Sequence, residues 1–250
     1  MAHRSVRLAL AALLAAGALC RPAAAPAATA PTVKAAVVAL ALWSDPVFRS
    51  EAQGAASVLA RRYGNGGPVV VRSNTRTARV NGPEGIAAAL RLGGRGLDPG
   101  RDVLILLLTS HGAPDGIADK GGGVEDLLPP DRLGRLLAGS PVRHKVLIVS
   151  ACFSGTYTAL AGPDTLVLTA ADSTHPSFGC QPEAHWTYFG DALFNQALRR
   201  DGSLPAAFAA ARAIVARREA AQGFAPSNPQ MAGGSDVLPL LAAAAGRTVP

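Results

Sequence analysis

Two runs of this chain hold almost nothing but branched apolar side chains: Val103 to Thr109 (VLILLLT) and Lys145 to Ser150 (KVLIVS). Neither alternates with polar residues, so neither can lie half in water. Each reads as a strand covered on both faces, the environment of a parallel sheet layered with helices. Both runs stop at reactive residues. The first leads through Ser110 to His111-Gly112 and the second through Ala151 to Cys152. Ligands of open α/β sheets bind at the carboxyl ends of strands. The 41-residue spacing from His111 to Cys152 leaves room for the crossover that neighbouring parallel strands require. Read singly, each is an ordinary strand end, and cysteine is often merely buried. Read together, they place a base and a thiol where they can meet.

The remaining segments fit such a layered fold. Lys34 to Trp43 reads as a first buried strand. Asp45-Pro46 opens a helix carrying Phe48, Ala52, Ala55 and Leu59 on one face, which stops near Tyr63-Gly64. Pro68 to Arg72 is a second strand, and a helix follows from Asn81-Gly82-Pro83 to Gly93-Gly94. After the strand Asp102 to Ser110, residues 112–130 are Gly-rich and lack periodicity, and read as a long functional loop. Asp131 caps a short helix. Lys145 to Ala151 and Thr165 to Ala170 are further strands, Phe189 to Arg199 and Ala206 to Ala221 helices, and Val237 to Leu241 a last short strand. Strands alternating with helices predict an α/β sandwich with a mostly parallel sheet of about six strands.

The first 30 residues are set apart. Arg4 and Arg7 precede an apolar stretch from Leu8 to Cys20, and Ala28-Thr29-Ala30 fits the small-residue site at which export signals are cut. Thirteen apolar residues are too few to span a bilayer. The expectation is an exported protein, periplasmic or secreted, with residues 31–250 forming one domain. Cys20 as a lipid anchor is disfavoured because the larger Leu19 precedes it. Removing residues 1–30 takes the formal charge from +7 to +4, a scattered basicity without the stripe that nucleic acid requires. Cys152 and Cys180 remain, and in an oxidising compartment a disulfide between them rivals a catalytic thiol.

A thiolate attacks a carbonyl, and an adjacent imidazole is the usual means of producing it. Cys152 lies where a strand gives way to a helix near Ser154, whose N-terminus favours negative charge. The backbone N–H groups of Gly112 and Cys152 can hold the oxyanion of a tetrahedral intermediate, and glycine lets substrate approach the main chain. His111 then serves as general base and acid. Ser110 and Ser154 lack the Gly-x-Ser-x-Gly elbow of a serine nucleophile. His175 and His185 flank Cys180 with Asp172 nearby, but no spacing matches a zinc motif. His144 reads as a surface residue, and Asp115 and Asp119 as solvated loop residues. No cofactor or metal is called for.

An apolar strand ending in His-Gly, followed by one ending in Ala-Cys, resembles the caspase-like cysteine peptidases, and the wider chain resembles their legumain branch. Asp45-Pro46-Val47-Phe48-Arg49, Thr169-Ala170-Ala171-Asp172, Ser177-Phe178-Gly179-Cys180 and Thr187-Tyr188-Phe189-Gly190-Asp191 agree with it. The resemblance spans about residues 34 to 240. It implies a caspase-like three-layer sandwich, a His111/Cys152 dyad, an oxyanion site at Gly112 and a specificity pocket to which Arg49 and Asp191 map. Such a pocket reads a polar P1 side chain such as an Asn carboxamide, which offers one donor and one acceptor. The implied partner is a protein or peptide substrate. Three departures stand out. Ser150 occupies the place of a legumain glutamate that lines this pocket. Val47 falls where the family puts an Asn that orients the histidine. The inhibitory C-terminal prodomain has no counterpart after Pro239. A transpeptidase of the same fold and a non-catalytic peptide-binding module are the alternative readings.

Overall fold

The computed structural model describes residues 32–181, 183–200 and 202–246; the export signal and Cys20 lie outside them. In chain order the elements are β1 (Ala35–Ala41), α1 (Pro46–Tyr63), β2 (Val69–Ser73), α2 (Pro83–Gly93), β3 (Val103–Thr109), β4 (Gly112–Ala113), β5 (Gly116–Gly121), β6 (Val124–Leu128) and α3 (Pro130–Ala138). There follow β7 (His144–Ser150), β8 (Thr165–Thr169), α4 (Tyr188–Gly190), α5 (Leu204–Ala221), β9 (Gln230–Gly233) and α6 (Val237–Ala245). A 3-10 helix spans Ser154–Leu160, and α4 runs on through a π-helical turn, Asp191–Gln196.

The main sheet has six strands in the order β2-β1-β3-β7-β8-β9, parallel except for β9. Every residue of β1 and β3 is buried, as their unbroken apolar sequences require. Alternate residues divide between two cores. Val37, Ile105 and Ile148 face α1, α5 and α6, while Val38, Leu106 and Leu147 face α2 and α3. Burying one such side chain contributes about 1.5–3 kcal/mol, so β3, lying between β1 and β7, is the best-anchored strand. The three-layer α/β sandwich read from the sequence is the fold observed, and no helix among the described residues is long and apolar enough to cross a membrane.

Several local expectations are corrected. Residues 112–130 are not an open loop. They form a separate antiparallel sheet, β4-β5-β6, whose tight turn at Gly122-Gly123 has φ of 57° and 78°. Positive φ at both turn positions matches the hairpin turn that glycine allows. Asp119, expected in solvent, is buried there, accepting from Asn74 Nδ2 (2.7 Å) and Arg79 Nε (2.9 Å). The sixth strand is Gln230–Gly233, and Val237 to Leu241 is the start of α6. His144 is buried as the first residue of β7. Asp131 does not cap α3, whose N-cap is Pro129; it pairs with Arg135 instead.

Candidate active site

The register of the central strands sets the site. β3 and β7 align Thr109 with Ser150, and the Ser110 N–H donates to Ser150 O at 3.2 Å, carrying the parallel pairing past the strand ends. His111 and Cys152 therefore leave neighbouring strands at the same level. Gly112 is pressed on the second tip: a Cβ there would lie 2.2 Å from Cys152 O and 3.2 Å from Ala151 Cβ. Only glycine admits that approach. The Ala118 N–H donates to His111 O at 2.9 Å, which makes Gly112 and Ile117 a non-hydrogen-bonded pair of the small sheet. The Gly112 N–H is thus turned away from β5. The Cys152 N–H has no partner among the described residues.

His111 is half-buried in an aromatic cradle. Its ring stands edge-on to Trp43 and to Phe48, each centroid 4.9 Å away. Its Nε2 lies 3.5 Å from Asp45 Oδ2. Asp45 occupies the N-cap position of α1 yet makes no side-chain cap hydrogen bond. Capping is what an Asp there would ordinarily do, so its carboxylate is given to the histidine. Lys120 Nζ lies 4.6 Å from the Trp43 ring centroid and closes the outer side of the cradle.

Cys152 is followed by Phe153 in the left-handed region, φ 55° and ψ 17°. A bulky residue there costs of order 1–3 kcal/mol and marks a constrained turn. The Phe153 N–H donates to His175 O (3.0 Å), and Gly155 packs on the backbone of Asp172 and Ser173. The turn is thereby pinned to the 172–180 loop. The Cys152 thiol donates to Ser177 O (3.4 Å), while Ser177 N–H and Oγ approach Sγ at 3.3 and 3.8 Å. No hydrogen bond joins Sγ to His111. The helix expected near Ser154 starts there, as a seven-residue 3-10 helix. Its poorer hydrogen-bond geometry weakens the dipole contribution, which leaves the Ser177 donors to face the sulfur.

Cys152 and Cys180 are free thiols. Burial, followed by the neighbouring Cys152 and Asp45 charges, pushes the Cys180 thiol up, which disfavours its thiolate. His175 Nδ1 pairs with both Asp172 oxygens at 2.8 and 2.7 Å. Burial opposes ionisation of Asp172, but hydrogen bonds from Asn228, Thr174 and His175 hold its carboxyl well below the usual range. Ser110 Oγ donates to Ala118 O, and Ser154 Oγ accepts from Ala171 N, so both hydroxyls are engaged in structure.

The residues expected to line a specificity pocket are arranged unequally. Arg49 is exposed and has no ion pair or hydrogen bond among the described residues. The Asp191 carboxylate accepts from Asn195 and Gln196 at 2.8 Å and lies 3.6 Å from the Arg218 guanidinium. No contact pairs Arg49 with Asp191. Ser150 is buried, with Oγ 3.2 Å from Thr187 Oγ1. Beneath them lies Glu51, fully buried on α1, accepting from Thr109 Oγ1 and from the Thr187 N–H, both at 2.9 Å. Burial pushes its carboxyl up, against the opposing hydrogen bonds of Ser150, Thr187 and Thr109. The folded protein thus holds this proton to higher pH than the unfolded chain does. The resulting cost is absent below the ordinary glutamate value of 4.5 and grows as pH rises through and beyond it. Glu51→Gln removes that cost. Its Tm relative to wild type should therefore rise as pH increases above about 4.5 in calorimetric scans; a difference independent of pH would contradict this.

Residues 85–235, which include His111 and Cys152, match the model of the Peptidase C13 family. The chain belongs to the peptidase C13 family. This C13 peptidase also shares the fold of caspase-1 from Spodoptera frugiperda, with a TM-score of 0.53 and 16% identity over 80% of this chain and 89% of that one. No curated protein sequence matches it. The legumain-like, caspase-fold cysteine peptidase inferred from the two strand tips is thereby established as a family assignment.

Three residues in contact with the candidate site were given no role by sequence reasoning: Asp45, Ser177 and Glu51. Asp45 precedes Pro46 and reads equally well as a helix start; Val47, standing at the family's histidine-orienting position, is the signal that a polar group must come from elsewhere. Glu51 falls between Phe48 and Ala52 on the apolar face of α1, an anomaly visible in the helical spacing alone. Ser177 falls in a stretch that agrees with the family resemblance, but nothing in the local pattern shows its contact with Cys152, made across 25 residues of chain.

Proposed function

We propose that this exported C13 peptidase is an endopeptidase in which Cys152 is the nucleophile and His111 the proton carrier. The observation that carries the reading is the seating of Gly112 against Cys152, with both backbone N–H groups uncommitted. Sγ bonds to the peptide carbonyl carbon, and the oxygen takes up negative charge between those two donors. Each such donor is worth about 3 kcal/mol in the transition state. His111 takes the thiol proton and gives it to the departing amine as the C–N bond breaks. A water, deprotonated by His111, then attacks the thioester carbonyl, releasing the new carboxylate and restoring the thiol. While the resting thiol is turned to Ser177, the Ser177 N–H and hydroxyl are the groups that hold the sulfur as it becomes charged.

Asp45 supplies the orientation that Val47 cannot. Facing Nε2 at 3.5 Å, it leaves Nδ1 for proton transfer and offsets the positive charge of the imidazolium. Asp45→Asn is expected to lower kcat about 10- to 100-fold with little change in KM. Steady-state kinetics at wild-type kcat would remove Asp45 from the mechanism.

The P1 preference is assigned to Asn or Asp. Arg49 presents an uncommitted guanidinium, while Asp191 is already satisfied by Arg218, Asn195 and Gln196, which leaves a donor-rich pocket for a carboxylate or carboxamide oxygen. A fluorogenic panel with Asn, Asp, Arg and Leu at P1 tests this. The acidic or carboxamide substrates should be cleaved fastest, and Arg49→Ala should reduce their kcat/KM about 10- to 100-fold, the effect of one charge-assisted bond. Preference for Arg or Leu, unaltered by Arg49→Ala, would refute the pocket assignment.

A further inference from the structure

One buried group lies where α1, the ends of β3 and β7 and the turn into α4 meet, yet takes no part in the chemistry. The Glu51 carboxyl reaches from α1 to Thr109, the last residue of β3 and two before His111. It reaches also to the N–H of Thr187, which caps the helix leading to Asp191. Thr187 Oγ1 in turn lies 3.2 Å from Ser150, the last residue of β7 and two before Cys152. Gly190 closes the arrangement: a Cβ at that position would fall 2.0 Å from Glu51 Oε2. Gly190 has helical angles, φ −61° and ψ −44°, which any residue adopts. Its missing side chain is therefore required by the carboxyl group and not by the backbone.

We propose that Glu51 is the positioning residue of this peptidase: from α1 it fixes the ends of β3 and β7 against the turn into α4, and so sets the relative placement of His111 and Cys152. This rests on the Cys152/His111 reading. The polar groups facing the carboxyl from β3, β7 and the turn into α4 are Thr109, Ser150 and Thr187, all uncharged, and among the described residues no ion pair joins Glu51 to a cation. An ion pair merely holding two elements together would have a basic partner. Here three tips share one acceptor group, and the bonds are directional. A displacement of about 1 Å between reacting groups can cost on the order of 100-fold in rate, so small errors at this hub reach the chemistry without unfolding the chain.

The test compares Glu51→Gln, Glu51→Ala, Thr109→Val and Gly190→Ala, with the full exported protein, by two readouts taken well below each variant's melting temperature. One is kcat on a P1 Asn or Asp peptide. The other is the rate of Cys152 alkylation by iodoacetamide across pH, which does not depend on peptidase activity. Glutamine can accept from the Thr187 N–H and donate to Thr109 Oγ1, so it should keep both values within about threefold of wild type. Glu51→Ala and Gly190→Ala should each lower kcat about 10- to 100-fold and change the pH profile of alkylation, with Thr109→Val between them. Gly190→Ala keeps the proposal testable if Glu51→Ala does not fold, because it displaces the carboxyl without deleting it. Variants that lose melting temperature yet keep wild-type kcat and alkylation profiles would overturn the proposal and leave Glu51 a stabilising residue only. If wild type itself cleaves no peptide, the peptidase reading fails, and the alkylation profiles still decide whether Glu51 positions Cys152.

Discussion

Replacing Cys152 by Ala is expected to abolish peptide turnover, lowering kcat by about 10⁴-fold or more, the scale on which removal of a nucleophile acts in covalent catalysis. The fold should not register the change. Sγ is half-buried and its only hydrogen-bond partners among the described residues are in Ser177, so the melting curve should stay close to wild type. The pairing of these two results is what gives the experiment its force. A variant that unfolds says nothing about mechanism, and residual turnover near wild-type level would assign the chemistry to another group. Cys180 is the rival thiol to exclude, and burial already raises its pKa and disfavours it.

Gly112→Ala should produce the second-largest effect, by geometry and not by loss of a reactive group. The added methyl would lie 2.2 Å from Cys152 O, a distance no packing tolerates, so the two strand tips must separate. Both proposed oxyanion donors move with them. Losing one such donor costs about 10²- to 10³-fold in kcat, and Gly112→Ala disturbs two. A loss of at least that size in kcat, with substrate KM little altered, is the expected result of steady-state measurements. Retention of more than a tenth of wild-type kcat would show that the oxyanion is held elsewhere.

The sequence made the centre of the molecule legible because the centre is where one physical rule dominates. Strands buried on both faces must be apolar throughout, so β1, β3 and β7 announce themselves, and with them the positions of His111, Gly112 and Cys152. Where burial is partial the rule fails. β5 contains Asp119 and Lys120, which no apolar alternation predicts; the strand survives because Asn74 and Arg79 come from outside it to satisfy Asp119. The edge strand β9, Gln-Met-Ala-Gly, is too short and too mixed to show a period. The apolar run from Val237 to Leu241 fits a strand or a helix turn equally, and only its packing against α1 and the sheet decides. The same limit applies to the site. Residues carried on strand tips could be proposed from the sequence, whereas the roles proposed for Asp45, Glu51 and Ser177 depend on neighbours far away in the chain.

The central claim is that a peptide carbonyl is captured by Cys152. Treating the reduced protein with a peptidyl acyloxymethyl ketone bearing Asp at P1, then measuring intact mass and mapping the modified peptide, tests it most directly. The account predicts a single adduct on Cys152, sharply slowed by Gly112→Ala and by His111→Ala. An adduct on Cys180, or no labelling of the folded wild-type protein, would contradict it.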